Sequence, residues 1–301
     1  MPGLSAQRAK RLKPLLDAFA DERPWGDRVR ADPVELVLRY ERPDDIELAA
    51  LLCACLAYGR ADLFKPKLRA LLDAMAPHPA EWVRRATVED AKKLLDGFVY
   101  RFNLPADLAV LLLGAGALMR EHGSLETVFL EGLERGAANP LGRWHGALAH
   151  FTTAIRKAAP SKEIAKRLGK VRGLHHLLPS PLGAGAAKRL QLFLRWVVRG
   201  PDAIDRGLWK RVGAERLMIP LDTHVYRMAG LLGLSTRKGL TWRTAEEITA
   251  SLRQLDPADP VRYDFALCHY GMSGACPAKP KKENCRRCPL KSECRVGKRL
   301  S

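Results

Sequence analysis

Apolar residues recur at i, i+3 and i+4 along nearly the whole of this chain, and runs alternating with period two are nearly absent. The helical period is clear in Ser5–Phe19, Pro33–Tyr40, Ile46–Tyr58, Pro66–Met75, Val88–Phe98 and Ala106–Met119. It resumes in Leu125–Leu133, Trp144–Lys157, Ala186–Val198, Thr223–Leu232, Ala245–Leu255 and Val261–Tyr270. Cap chemistry points the same way. Thr87 with Asp90, Ser124 ahead of Leu125, and Thr244 with Glu247 as a capping box all read as helix starts. Gly and Pro fall mostly between the segments. A chain patterned like this folds as an all-α protein of about a dozen helices.

The chain has 301 residues, enough for one large domain or two modest ones. The N-terminus, Met1 to Arg11, is basic and has no apolar stretch of the kind a secretion signal needs. The longest apolar stretches, Leu48–Tyr58 and Leu108–Met119, are too short to cross a bilayer. A cytoplasmic address follows as the expectation. Lys and Arg number 51 against 33 Asp and Glu, a net charge of +18. Such an imbalance calls for a polyanionic partner, nucleic acid first and an anionic membrane surface second, unless it reflects a generally Arg-rich composition.

Four of the seven cysteines crowd the C-terminal end: Cys276, Cys285, Cys288 and Cys294, spaced C-x8-C-x2-C-x5-C. In a reducing compartment, clustered cysteines favour a metal over disulfides. Four thiolates suit structural zinc or an iron–sulfur cluster. Zinc ribbons usually supply two C-x2-C pairs; one pair flanked by single cysteines fits a compact 4Fe–4S loop better. From Cys276 to Ser301 there are nine Lys and Arg and two Glu, which suits a phosphate-facing module. Cys53, Cys55 and Cys268 read as core, and His145, His150, His175 and His176 as surface residues.

Two further segments carry chemistry. In Leu177-Leu-Pro-Ser-Pro-Leu-Gly-Ala-Gly-Ala-Ala-Lys-Arg-Leu190 a helix ends near Leu178 and another begins near Ala186. Gly183 and Gly185 can present backbone N–H groups to a phosphate, or form a simple interhelical turn. Lys188, in the first turn of the second helix, is either a solvated side chain or an amine nucleophile. In Ile219-Pro-Leu-Asp-Thr-His-Val-Tyr-Arg-Met228, Asp222 precedes a helix. It is an N-cap, or a carboxylate that stabilises a developing cation. His224 reads as a structural hydrogen-bonding residue.

Taken together, these pieces resemble the helix-hairpin-helix DNA glycosylases of the endonuclease III and adenine glycosylase type. Lys188 stands where the hairpin of that family ends in a lysine. Leu221–Arg227 is similar to its catalytic-aspartate motif, and Cys285–Cys294 to its cluster loop. Ile46–Gly59 resembles the start of its six-helix barrel. The resemblance covers roughly residues 45–295 and is nearest to a bacterial branch of poorly assigned function, through the runs Lys188–Arg199 and Tyr263–Ala266. The chain departs from the family in a longer hairpin, in the 34 positions between Lys188 and Asp222, and in an x8 first cysteine spacing that adds Lys279, Lys281 and Lys282.

The resemblance implies two helical lobes. One is residues 1–44 plus 201–301, with the cluster loop at 276–294. The other is residues 45–200, with the helix-hairpin-helix at about 164–198. It implies base excision from double-stranded DNA carrying a damaged or abasic nucleotide, by a chain acting as a monomer in the nucleoid. Lys188 and Asp222 would be catalytic, and Gly183, Gly185, Arg189, Lys279, Lys281 and Lys282 would touch DNA. The 4Fe–4S cluster would be structural, held by the four C-terminal cysteines. Trp196, Trp209, Tyr226 and Tyr270 are the aromatic candidates for stacking on a flipped base, or core residues. The competing classes are a non-catalytic DNA-binding scaffold with the same cluster, and an RNA binder using the same basic surface.

Overall fold

A computed structural model describes residues 4–21, 26–181, 183 and 185–300. The chain is all-α: among the described residues there is no strand, only the isolated bridges Tyr100–Asn103 and Gly185–Thr241. The helices are α1 Ala6–Asp21, α2 Gly26–Ala31, α3 Val34–Val37, α4 Pro43–Leu56, α5 Ala61–Ala74, α6 Pro79–Arg85, α7 Val88–Leu94, α8 Pro105–His122 and α9 Leu125–Arg135. There follow α10 Arg143–Ala158, α11 Ser161–Leu168, α12 Leu174–Leu177, α13 Lys188–Val198, α14 Thr223–Leu232, α15 Trp242–Arg253, α16 Asp264–Met272, α17 Lys282–Arg286 and α18 Gly297–Leu300. Among the described residues, no helix is long and apolar enough to cross a membrane.

The chain divides into two compact units: Met1–Arg28, Ala184–Arg195 and Gly213–Ser301 form the first, Val29–Gly183 and Trp196–Val212 the second. Compared with the lobes expected from the sequence, the first unit's N-terminal piece is shorter, its C-terminal piece starts later, and it claims most of α13. The two helices of the expected hairpin, α12 and α13, therefore begin in different units.

The second unit is built on α8, most of which is buried. Its two interior glycines explain how neighbours approach it. A Cβ on Gly116 would stand 2.1 Å from the Val83 carbonyl oxygen of α6, and one on Gly114 2.1 Å from the Ile155 carbonyl oxygen of α10. Buried carboxylates fasten helix starts here, since four N–H groups at each start have no partner within the helix. Glu47 accepts from Ser124 Oγ (2.7 Å), Leu125 N (3.0 Å) and Trp209 Nε1 (2.7 Å). Asp45 accepts from Ala80 N at 2.9 Å. Thr87 with Asp90 forms the expected capping box, and Ser124 caps α9. Cys53 and Cys55 are core residues, as read from the sequence. His145 is not at the surface: it is 2% exposed, with its Nε2 2.6 Å from the Pro181 carbonyl oxygen.

In the first unit α1 lays Leu12, Leu16 and Phe19 into the core, and Phe19 meets Tyr270 edge-on at 5.2 Å. Tyr263 Oη donates to Asp17 at 2.6 Å. The capping box expected at Thr244 is displaced by one turn. Thr241 is the cap, accepting from Thr244 N at 3.2 Å, because Trp242 already lies in the helix with its ring buried and Nε1 donating to Glu246 (2.9 Å). Glu247 instead pairs with Arg237 at 2.7 Å.

Candidate functional site

Ile219–Leu221 runs extended into α14, and Asp222 is the N-cap. Its Oδ1 accepts from His224 N (2.9 Å) and Val225 N (2.8 Å), so a negative charge sits at the positive end of the helix. That satisfies the capping role and leaves the other oxygen. Oδ2 accepts from the Cys268 thiol at 3.3 Å. His224 contributes its backbone N–H, while its buried Nδ1 has no partner among the described residues.

Cys268 lies one turn beyond Asp264 on the same face of α16, the i, i+4 relation. It is not the core residue that its apolar neighbours suggest, but half-buried and aimed at a carboxylate. Burial pushes its thiol well up, the Asp222 and Asp264 charges push further, and the Lys188 ammonium opposes them. Cys268 is therefore a thiol that donates, not a thiolate nucleophile.

Asp264 is paired with Arg195 at 2.7 Å, both side chains nearly sealed from solvent. Burial raises the Asp264 carboxyl to about 6; Arg195 pulls it down through charge and hydrogen bond, the Asp222 charge raises it, and Lys188 lowers it. Its Oδ1 is buried without a hydrogen-bond partner.

Lys188 is the first residue of α13 and half-buried. Ala187 before it adopts φ 49°, in the left-handed region that costs an L-residue about 1 kcal/mol. That turn sets the direction in which α13 leaves the loop. Seven positions on, Arg195 falls on the same side of the helix as Lys188. The charges of Lys188 and Asp222, both predicted from the sequence, both act on Asp264 and Cys268 of α16.

The sequence reading gave no role to Arg195, Asp264 or Cys268. A signal existed: Arg195 in the mostly apolar run Leu190–Val198, and Asp264 directly ahead of the apolar run Phe265–Cys268, are opposite charges among residues that must be buried.

Of the predicted DNA contacts, Gly183 and Gly185 are exposed, and a Cβ on either would meet nothing within 4 Å. Residues 182 and 184 lie outside the described residues. Arg189 is half-buried, and Lys279, Lys281 and Lys282 are exposed on the cysteine loop. Of the aromatic candidates, Trp196, Trp209 and Tyr270 are core residues. Tyr226 accepts from Gly239 N at 3.0 Å and donates to the Arg237 carbonyl at 3.3 Å.

Cys276, Cys285, Cys288 and Cys294 line one small cavity of about 20 Å³ with Leu231, Asn284 and Gly297 among its walls. Among the described residues no group of three or more His, Cys, Asp or Glu side chains is gathered as a metal ion would require. The donor set nonetheless suits a group bound by four thiolates. Gly297 N donates to Cys294 Sγ at 3.3 Å. Burial raises the Cys276 thiol while the Arg227 guanidinium lowers it, and the neighbouring Cys288 and Cys294 raise it. Arg227 also donates to the carbonyls of Gly271 (2.9 Å) and Cys276 (2.7 Å), and its Nε is buried without a partner. Such a cation would offset negative charge gathered on these sulfurs.

Helix α14 joins the two features. Asp222 caps its start, Arg227 reaches the cysteine loop from its middle, and the Leu231 carbonyl near its end accepts from Arg295 N at 2.9 Å. The loop is tied back to α1 as well, through Arg11 Nε on Glu293 Oε1 at 2.9 Å and Arg8 Nη2 on the Glu293 carbonyl at 2.9 Å.

Comparison with curated proteins and with solved structures finds no match. A family model described as Protein of unknown function (DUF2400) matches residues 32–273, a span that contains Lys188, Arg195, Asp222, Asp264 and Cys268 and stops short of Cys276. With most of its length inside that match, the chain belongs to the DUF2400 family.

Proposed function

We propose that this chain is a DNA N-glycosylase that extrudes a damaged nucleotide from duplex DNA and breaks its N-glycosidic bond, with strand cleavage through Lys188. The observation that carries the reading is an Asp222 carboxylate with one oxygen fixed by the helix start and the other accepting from Cys268 of α16, a thiol on which the Lys188 charge also acts. The net charge of +18 supports a polyanionic partner. Both the cluster loop of Cys276, Cys285, Cys288 and Cys294 and a helix-hairpin-helix at about 164–198 belong to the proposal.

The chemistry follows from the residues. A glycosidic carbon inside the base stack is unreachable, so the nucleotide must leave the stack. As the C1′–N bond breaks, the base takes the electron pair and the sugar gains oxocarbenium character. Asp222 stabilises that charge, as carboxylates do in glycoside hydrolysis. The Lys188 amine adds its lone pair to C1′. The C1′–O4′ bond then opens, O4′ takes up a proton, and the nitrogen becomes an iminium. Loss of a C2′ proton expels the 3′ phosphate. A 4Fe–4S cluster on the four cysteines would supply structural order and no redox step on the substrate. Arg227 would balance its charge, and the loop would hold α14, and so Asp222, in place. Exposed Lys279, Lys281 and Lys282 would touch phosphates, as would Gly183, Gly185 and Arg189.

Asp222→Asn is a clean test because asparagine caps a helix as well as aspartate does. Base release from damaged duplexes should be abolished while DNA binding and thermal stability persist. Full activity in that variant would reduce Asp222 to a cap and favour a non-catalytic DNA-binding scaffold.

A further inference from the structure

We infer that Cys268 is a positioning residue for Asp222, holding the outer carboxylate oxygen through an S–H hydrogen bond that fixes its direction. The inference rests on the glycosylase reading for its catalytic consequence, not for the contact itself. Asp222 Oδ1 is occupied by two backbone N–H groups, so Oδ2 is the oxygen left to face a developing cation. Its donor is the Cys268 thiol at 3.3 Å.

The choice of donor matters. A thiol is a weak donor, so it orients Oδ2 without withdrawing much of its charge. A hydroxyl or amide in its place would satisfy the oxygen more strongly and blunt it. Burial and two neighbouring carboxylates keep Cys268 protonated, so the donor persists across the working pH range. A structural cysteine at an apolar position would face a hydrophobic wall. This one faces a carboxylate on one side and Met272 Sδ at 3.8 Å on the other.

The groups that act in this neighbourhood are Lys188 and Arg195 from α13, Asp264 and Cys268 from α16, and His224 on the helix that Asp222 itself caps. Of these, Cys268 is the one hydrogen-bonded to Oδ2 through a side chain. Removing it leaves Oδ2 without the side-chain donor that orients it.

Two readouts test this. In base-release kinetics, Cys268→Ala should lower kcat about tenfold at unchanged KM, and Cys268→Ser should restore part of it. An unchanged kcat in Cys268→Ala, or variants that lose rate only in proportion to lost thermal stability, would overturn the inference. The second readout needs no activity. The infrared S–H stretch of Cys268, identified by its loss in Cys268→Ala, should shift in Asp222→Asn, because a carboxylate acceptor has become a neutral amide. An unshifted band overturns the inference. A shifted band in a protein that releases no base supports the hydrogen bond and sinks the glycosylase reading instead.

Discussion

Arg195 and Asp264 face each other at 2.7 Å with their side chains 3% and 4% exposed, and this pair joins α13, which carries Lys188, to α16, which carries Cys268. A buried charge is tolerable only with its partner. Removing one member costs about 3–5 kcal/mol because the other stays desolvated. Arg195→Met should therefore lower the unfolding free energy by about that amount near pH 7, measured by denaturant titration. The loss should be smaller near pH 5, where Asp264 takes up a proton. An equal loss at both values would contradict the pairing.

Asp264 also sets a pH dependence. Burial holds its carboxyl at about 6 in the folded chain, against an ordinary 3.8, in spite of Arg195. Between those values the folded state binds the proton more tightly than the unfolded one. The contribution of this group is then fully present below the lower value and is lost as pH rises through the upper one. The stability advantage of the wild type over Asp264→Asn should shrink from about pH 4 to pH 6. An advantage that grows over that range would reverse the sign.

Glycine substitutions separate packing from backbone freedom. Gly116→Ala places a methyl 2.1 Å from the Val83 carbonyl oxygen and should destabilise by about 2 kcal/mol. Gly230→Ala, inside α14 with nothing within 4 Å of the added carbon, should stabilise by about 0.5–1 kcal/mol. Thermal unfolding of the two variants checks both signs.

The cysteine loop makes a separate prediction. Cys288→Ala should lose iron and acid-labile sulfide together in metal analysis of the purified chain, and base release with them, because Arg227 and the Arg295–Leu231 bond connect the loop to α14. Zinc in place of iron and sulfide would assign the site to a mononuclear metal.

The parts of the site that were legible in the sequence are those with local rules. Asp222 was legible because N-cap chemistry needs only the next three residues. Lys188 was legible from the turn that precedes it. Thr87 with Asp90 and Ser124 followed the same logic, whereas Thr244 failed because Trp242, buried by tertiary packing, moved the helix start. Cys268, Asp264 and Arg195 were hidden because their meaning lies in partners 46 or 69 positions away. His145 was misread for a related reason: its buried environment is supplied by a loop 36 residues on. The all-α class came from periodicity alone, while the unit boundaries depend on packing that no local pattern reports.

The most direct measurement is borohydride trapping of the purified chain on a panel of duplexes carrying oxidised, alkylated, deaminated and abasic nucleotides. The account predicts a covalent protein–DNA adduct with at least one of them, accompanied by strand cleavage, absent in Lys188→Gln and blocked for base-bearing duplexes in Asp222→Asn. No adduct and no base release on any duplex would contradict it.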